Sequence, residues 1–213
     1  MQYVLNTNNA CIVKEIIQAI HENSVYLSEI DGETGDGDHG VNMNKGFLMA
    51  DVRIKEDDSF SEALKKLGKT LVMDIGGSMG PIYGTFFSKL SRTLKTEEKI
   101  DAGLFEEALK NAEEGLMDLA GAKPGDKTLV DTIVPAYESF KETHEDGKDF
   151  KECLEALKIG AEQGKESTRN MVAKLGRASR LGERSKGHLD AGATSCCIIL
   201  QTMADGMIKR IVL

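Results

Sequence analysis

Apolar residues recur at every third or fourth position along almost the whole chain, a period that suits α-helix and little else. Ile12, Ile16, Ile20 and Leu27 form a first stripe, and Leu104, Ala108, Ala112, Leu116 and Leu119 form another. Phe150, Leu154, Leu157, Ala161, Met171, Val172 and Leu175 form a long later one. Cys197, Leu200, Ala204, Met207 and Ile211 close the chain. Strand-like alternation is scarce. The apolar run Ile198, Ile199, Leu200 would also suit a short buried strand, but its flanks keep helical spacing. Three prolines, no tryptophan and 5% aromatics weigh against an all-β sandwich. A hydrophobic share of 40% in 213 residues supplies a sizeable core and excludes a disordered chain. We read residues 1–213 as one domain.

Start and stop signals agree with the periodicity. Ser59-x-x-Glu62 and Asp149-x-x-Glu152 have the form of capping boxes, and Asp101 is placed to cap the helix after it. Glycines cluster at 35–40, 76–80, 121–125 and 176–187, where helices should break. The segments between breaks predict about eight helices, at 8–30, 39–55, 60–74, 80–93, 101–119, 128–143, 149–175 and 188–211. Pro135 falls inside the sixth and predisposes it to a kink. Helices joined by tight loops imply an all-α antiparallel bundle or barrel.

Acidic residues exceed basic ones, for a net charge of −8, which argues against nucleic acid or an anionic membrane as partner. No apolar run approaches a membrane span, and the N-terminal segment lacks the basic and apolar regions of a secretory signal. The four cysteines, Cys11, Cys153, Cys196 and Cys197, form no CxxC. They read as free thiols in a reducing cytoplasm.

Four loops concentrate polar residues and glycine. In the first, Asp31, Glu33, Asp36 and Asp38 crowd carboxylates into one turn before His39. Carboxylates that close attract a hard divalent cation. A solvated acidic turn capping the next helix satisfies the spacing equally well. An EF-hand is excluded because Asp36 stands where its glycine is needed. The GxGxxG from Gly35 to Gly40 is not a dinucleotide fingerprint, because Asp36 and Asp38 would repel pyrophosphate. The second loop, Gly76-Gly77-Ser78-Met79-Gly80-Pro81, would free backbone N–H groups at a helix start. Taken alone, a plain tight helix–helix turn is the favoured reading. The third, Gly121 to Thr128, carries Lys123 and Lys127 between glycines and reads as a mobile lid over phosphate or as a surface loop. Gly68-Lys69-Thr70 is no Walker A, since position 63 is alanine. The fourth, Gly176 to His188, sets Arg177, Arg180, Arg184 and Lys186 against Glu183 in an acidic protein. Its local reversal of sign favours phosphate binding over a merely solvated loop. Together the loops suggest a polyphosphate bridged to the acidic turn by divalent metal.

The strings GDGDHGVNMNKGF, GGSMGPIYGTFF, GAKPGDKTLVDT and GRASRLGERSKGH closely resemble the L subunit, or nucleotide-binding domain, of dihydroxyacetone kinases. The resemblance runs from about Asp31 to Ser195. It implies a barrel of eight antiparallel helices with nucleotide (ADP or ATP) and two Mg²⁺ ions at one end. Asp31, Asp36 and Asp38 become the metal ligands. His39, Gly40, Val41 and Asn42 become nucleotide contacts, as do Gly77, Ser78, Met79, Ala120, Leu129, Asp190, Ala191 and Gly192. Arg177 reaches phosphate and is the candidate catalytic group in a reaction run by positioning. The usual Ala-Ser of the glycine turn is here Ser78-Met79, and a common Asp-Pro-Gly is Asp190-Ala191-Gly192.

The same resemblance implies a division of labour. A separate K subunit holds the substrate covalently through a histidine. In the phosphoenolpyruvate-dependent form, a phosphohistidine on an M subunit recharges bound ADP. The leading expectation is therefore the ADP-binding subunit of such a kinase in the cytoplasm, with K and M subunits as partners and a homodimer open. The alternatives are a subunit of an ATP-dependent kinase for dihydroxyacetone or another small ketose or polyol, and a nucleotide-binding regulator.

Overall fold

A computed structural model describes residues 1–213. Nine α-helices dominate: α1 (Ala10–Glu22), α2 (Ser24–Thr34), α3 (His39–Asp51), α4 (Phe60–Asp74), α5 (Met79–Leu94), α6 (Ala102–Ala120), α7 (Val130–Glu145), α8 (Phe150–Ser167) and α9 (Ala191–Ile208). Two strands, β1 (Tyr3–Leu5) and β2 (Lys99–Asp101), pair antiparallel, with Val4 opposite Ile100. Two 3-10 segments, Thr168–Asn170 and Ala178–Ser185, lie between α8 and α9.

Helix neighbours define a closed ring. From α3 to α9 each helix packs on the next, and α9 and α3 both pack on α1. Lys14 near the start of α1 meets Asp51 at the end of α3, and Glu15 meets Arg210 just beyond α9, so both of those pairs run antiparallel. With eight members the alternation closes without a mismatch. The remaining helix, α2, packs on α3, α9 and α1. The ring encloses a core of 47 buried hydrophobic residues. One cluster of rings is Phe47, Phe86 and Phe87; a second is Phe105, Phe140 and Phe150. Each buried phenylalanine contributes roughly 1.5–3 kcal/mol. Of the four cysteines only Cys11 is partly exposed, and none is in a disulfide. Burial pushes the Cys153 thiol up to about 11 and Cys197 up to about 12, which makes both poor nucleophiles.

Several boundaries differ from the sequence reading. The segment 8–30 is two helices, because the Asn23 amide takes the Ala19 carbonyl and the chain restarts at Ser24. The segment 149–175 stops at Ser167. There the hydroxyls of Ser167 and Thr168 donate to the Gly164 and Lys165 carbonyls, and Met171, Val172 and Leu175 fall in irregular backbone. Asp190 caps Ala193 and sets the start of α9 at 191. Ile198 to Leu200 are helical. Strands of three residues are too short to alternate visibly, so β1 and β2 leave no period to read. Helix α7 runs on through Pro135. Proline has no N–H for the Asp131 carbonyl, and Gly164 of α8 fits against that oxygen where a side chain would overlap it.

Alternation also sorts the helix ends. The N-termini of α1, α4, α6 and α8 point to one end, which the β1–β2 ribbon closes. There Ser59, Asp101 and Asp149 cap their helices, Asp149 in a full capping box. Buried Asn6 ties the same end together, donating to the Leu94 and Glu97 carbonyls and accepting from the Ser61 N–H. The N-termini of α3, α5, α7 and α9 point to the other end. Asp38, Ser78 and Leu129 make no side-chain cap there, and only Asp190 does.

Candidate functional site

At the uncapped end a cavity of about 480 Å³ opens among the α2–α3 loop, the α4–α5 turn, the start of α7, the start of α9 and the α8–α9 segment. Four helix N-termini converge on it. Each carries roughly half a positive charge from its aligned peptides, so the mouth favours an anion.

The α2–α3 loop supplies the opposite charge. Its chain turns back through Gly35 and Gly37, the latter with φ +75, a conformation glycine takes freely. The turn brings Asp31 at the end of α2 beside Asp36 and Asp38. One oxygen from each lies within 4.8 Å of the others. An octahedral ion with oxygens at 2.0–2.1 Å has oxygen edges of about 3 Å and diagonals of about 4 Å. The three carboxylates therefore fit a hard divalent ion with small adjustment, and they leave coordination positions for water or phosphate. The Asp31 carboxylate also accepts the His39 backbone N–H at 3.3 Å.

Of the other residues singled out in the sequence, His39, Asn42, Gly77, Ser78, Met79, Ala120, Leu129, Arg177, Asp190, Ala191 and Gly192 line the cavity. Gly40 and Val41 do not. Gly40 is buried at a close approach of α3 to the Ser24 carbonyl, and Val41 is 63% exposed on the outer face of α3. Consecutive helical residues diverge by about 100°, so a run of four cannot all face one cavity.

Sequence reasoning missed Tyr83, one turn beyond Met79 and thus on the cavity face of α5. Its hydroxyl lies 2.6 Å from Ser195 Oγ, and His39 Nε2 lies 2.9 Å from the same oxygen. Tyr83 and Ser195 both reach the Gly192 carbonyl at 3.1 Å. Burial pushes the His39 imidazole below its ordinary value, with Asp31 opposing, so it is neutral at pH 7. Burial raises the Asp190 carboxyl to about 6, against the Ala193 N–H and Lys127.

The third loop, which the sequence leaves open as a mobile lid or a surface loop, is tied down. The Asp131 carboxylate accepts from the Gly125 N–H at 2.5 Å and the Thr128 N–H at 2.8 Å. Asp126 accepts from the Lys123 N–H at 3.0 Å and pairs with Lys174 at 3.2 Å. Lys127 turns its ammonium inward onto backbone carbonyls, so it is not free for phosphate. Leu129, Ala120 and Ala122 form an apolar wall beside it. The basic segment is divided: Arg177 lies against Asp36, with Asp38 at 4.0 Å, and His188 pairs with Glu33 at 3.0 Å.

The family model described as DAK2 domain matches residues 33–205. The ADP-binding subunit DhaL of the PEP-dependent dihydroxyacetone kinase of Escherichia coli is 38% identical over 183 residues, which is 85% of this chain and 87% of that protein. The ADP-binding subunit DhaL of the PTS-dependent dihydroxyacetone kinase of Lactococcus lactis is 37% identical over 194 residues, 88% of this chain and 91% of that one. The crystal structure of the dihydroxyacetone kinase of C. freundii superposes with a TM-score of 0.70 at 22% identity, covering 92% of this chain and 34% of that one. That likeness concerns the fold alone.

Proposed function

The chain belongs to the DAK2 domain family, and on that premise we propose that it is the ADP-binding subunit of a phosphoenolpyruvate-dependent dihydroxyacetone kinase. The whole chain, 1–213, is one nucleotide-binding domain working in the cytoplasm. The observation that carries this reading is the pairing of three carboxylates with four helix N-termini at one mouth, three of them without side-chain caps. Such a mouth suits a polyanion delivered with divalent metal.

Magnesium held by Asp31, Asp36 and Asp38, as two ions, would supply positive charge to the phosphates. The chain's own residues do the rest by positioning. Backbone N–H groups of the Gly77–Met79 turn, at the start of α5 on the cavity, would receive phosphate oxygens. Arg177 offers a forked donor to phosphate oxygens. Neutral His39, oriented by Ser195, donates or accepts one hydrogen bond without adding charge. Ala120, Ala122 and Leu129 give the base an apolar wall. The chain's task is then to hold a terminal phosphate toward two visiting proteins. One is an M subunit carrying phosphohistidine, and the other is a K subunit holding dihydroxyacetone.

The nucleotide content of freshly purified protein tests this. Near-stoichiometric ADP with magnesium, surviving dialysis, is the expected result. An empty protein that binds Mg·ATP reversibly would replace the reading with an ATP-dependent kinase subunit. An empty protein that binds neither would overturn the site itself.

A further inference from the structure

We propose that Lys127 is a positioning residue: its ammonium group fills a cage of backbone carbonyls and thereby holds the Arg177-bearing segment over the cavity. The inference rests on the nucleotide-site reading above and deepens it.

Lys127 is buried, and Nζ donates to the carbonyls of Met171 at 3.3 Å, Ser185 at 2.5 Å and His188 at 2.7 Å. An ammonium group has three protons, and each finds an acceptor. All three acceptors belong to the segment joining α8 to α9. An ion pair would match one charge with one carboxylate. A lysine shared among carbonyls instead fixes backbone from several points at once.

Those points form the neck of a loop. Across the neck the Gly187 N–H donates to the Arg169 carbonyl at 2.7 Å, and the Ala173 N–H donates to Ser185 Oγ at 2.9 Å. Ser185 Oγ in turn donates to the Gly182 carbonyl at 2.6 Å. Beyond the neck the tip carries Arg177 between Gly176 and Gly182, both in left-handed backbone at φ +67 and +55. Arg177, Arg180 and Arg184 are exposed there. The lysine thus sits at the root of the element that delivers the guanidinium to Asp36.

The backbone of Lys127 gives an independent sign. Its φ is +60, a region that side-chain-bearing residues enter only under constraint. Asp131 holds Gly125 N–H and Thr128 N–H on either side, which enforces the turn. Glycine would accept this conformation freely, so it is the side chain that the position uses.

A double-mutant cycle tests the proposal, with Mg·ADP affinity measured by calorimetry for wild type, K127M, R177A and the double variant. R177A should weaken binding about 10-fold, and K127M should weaken it comparably. The double variant should bind within about 2-fold of R177A, because the lysine acts through the arginine. Trypsin should cut at Arg177, Arg180 and Arg184 faster in K127M than in wild type. Multiplying losses in the double variant, or K127M with wild-type affinity and wild-type cleavage, would overturn the proposal. If K127M does not fold, K127R keeps the charge but replaces the compact ammonium with a planar guanidinium that cannot reproduce the three-carbonyl geometry, and the same two patterns decide. A wild-type protein that binds no Mg·ADP would defeat the nucleotide reading separately. Cleavage in K127M would then still report whether the lysine holds the segment.

Discussion

Arg177 and Asp36 meet across the mouth of the barrel, a guanidinium from the α8–α9 segment against a carboxylate from the α2–α3 loop. The same carboxylate is one of the three that could hold a divalent ion. A divalent ion held by Asp31, Asp36 and Asp38 would compete with the guanidinium for that carboxylate and would free Arg177 for phosphate.

This competition gives a prediction with opposite signs. Arg177→Met removes a positive charge beside the ion site, so Mn²⁺ alone should bind several-fold more tightly. Mg·ADP should bind about 10-fold more weakly, because a phosphate contact is lost. Paramagnetic resonance of free Mn²⁺ and calorimetry with Mg·ADP read the two effects. Changes of the same sign in both would refute the competition.

Asp36→Asn should cost more. Partners that merely orient a metal ligand account for about 10–100-fold in affinity, so losing a ligand should exceed 100-fold. The loss should appear in Mg·ADP affinity and leave the melting temperature little changed, because relief of the like charges at Asp31 and Asp38 offsets the lost surface pair with Arg177. Unchanged Mg·ADP affinity would remove Asp36 from the ion site.

Much of this end of the molecule was legible in the sequence because its chemistry is local. Asp31, Asp36 and Asp38 lie within one turn, and glycines mark the bends that bring them together. The helical period was equally open, since each stripe is a local pattern. Three things were not legible. Gly40 and Val41 share a string with His39, but a helix turns them to other faces. Ser195 and Tyr83 stand far from His39 in sequence, and only closure of the ring joins them. Lys127 lies in a glycine-rich loop that reads equally as a lid over phosphate or as a surface loop. Its true partners, the carbonyls of Met171, Ser185 and His188, carry no side-chain signature at all.

Away from the mouth, Glu113 on α6 gives a pH prediction. Burial first, then Glu138 and Glu114, raise its carboxyl from 4.5 to about 7. A carboxyl whose folded value is raised contributes stability that is complete below the unfolded value and lost as pH rises through the folded one. Glu113 therefore costs stability progressively between about pH 4.5 and 7. Glu113→Gln should raise the melting temperature at pH 8 and change it little at pH 4. The group is only half buried, so solvent screening limits the gain to about 1 kcal/mol, or ~2–4 °C. Thermal melts of both proteins at the two pH values check this. An equal shift at both would show that packing, not ionisation, is responsible.

The glycine turn offers the sharpest test of sequence against function. The family resemblance implies Ala-Ser where this chain has Ser78-Met79. Both residues line the cavity at the start of α5, and Ser78 Oγ does not cap that helix. The hydroxyl is thus one residue early relative to that pattern, and a thioether occupies the first helical position. Restoring Ala-Ser by the double substitution S78A/M79S puts a donor at the first helical residue, where the peptide dipoles favour phosphate. One added neutral hydrogen bond is worth about 0.5–1.5 kcal/mol, so Mg·ADP affinity should rise roughly 2–10-fold. Gly80 must stay, because a side chain there would overlap the Ile75 carbonyl. Calorimetry of the double variant decides the point. A fall in affinity would mean that Met79 is itself a contact, packing on the nucleotide, and that this chain has tuned its turn to a different ligand.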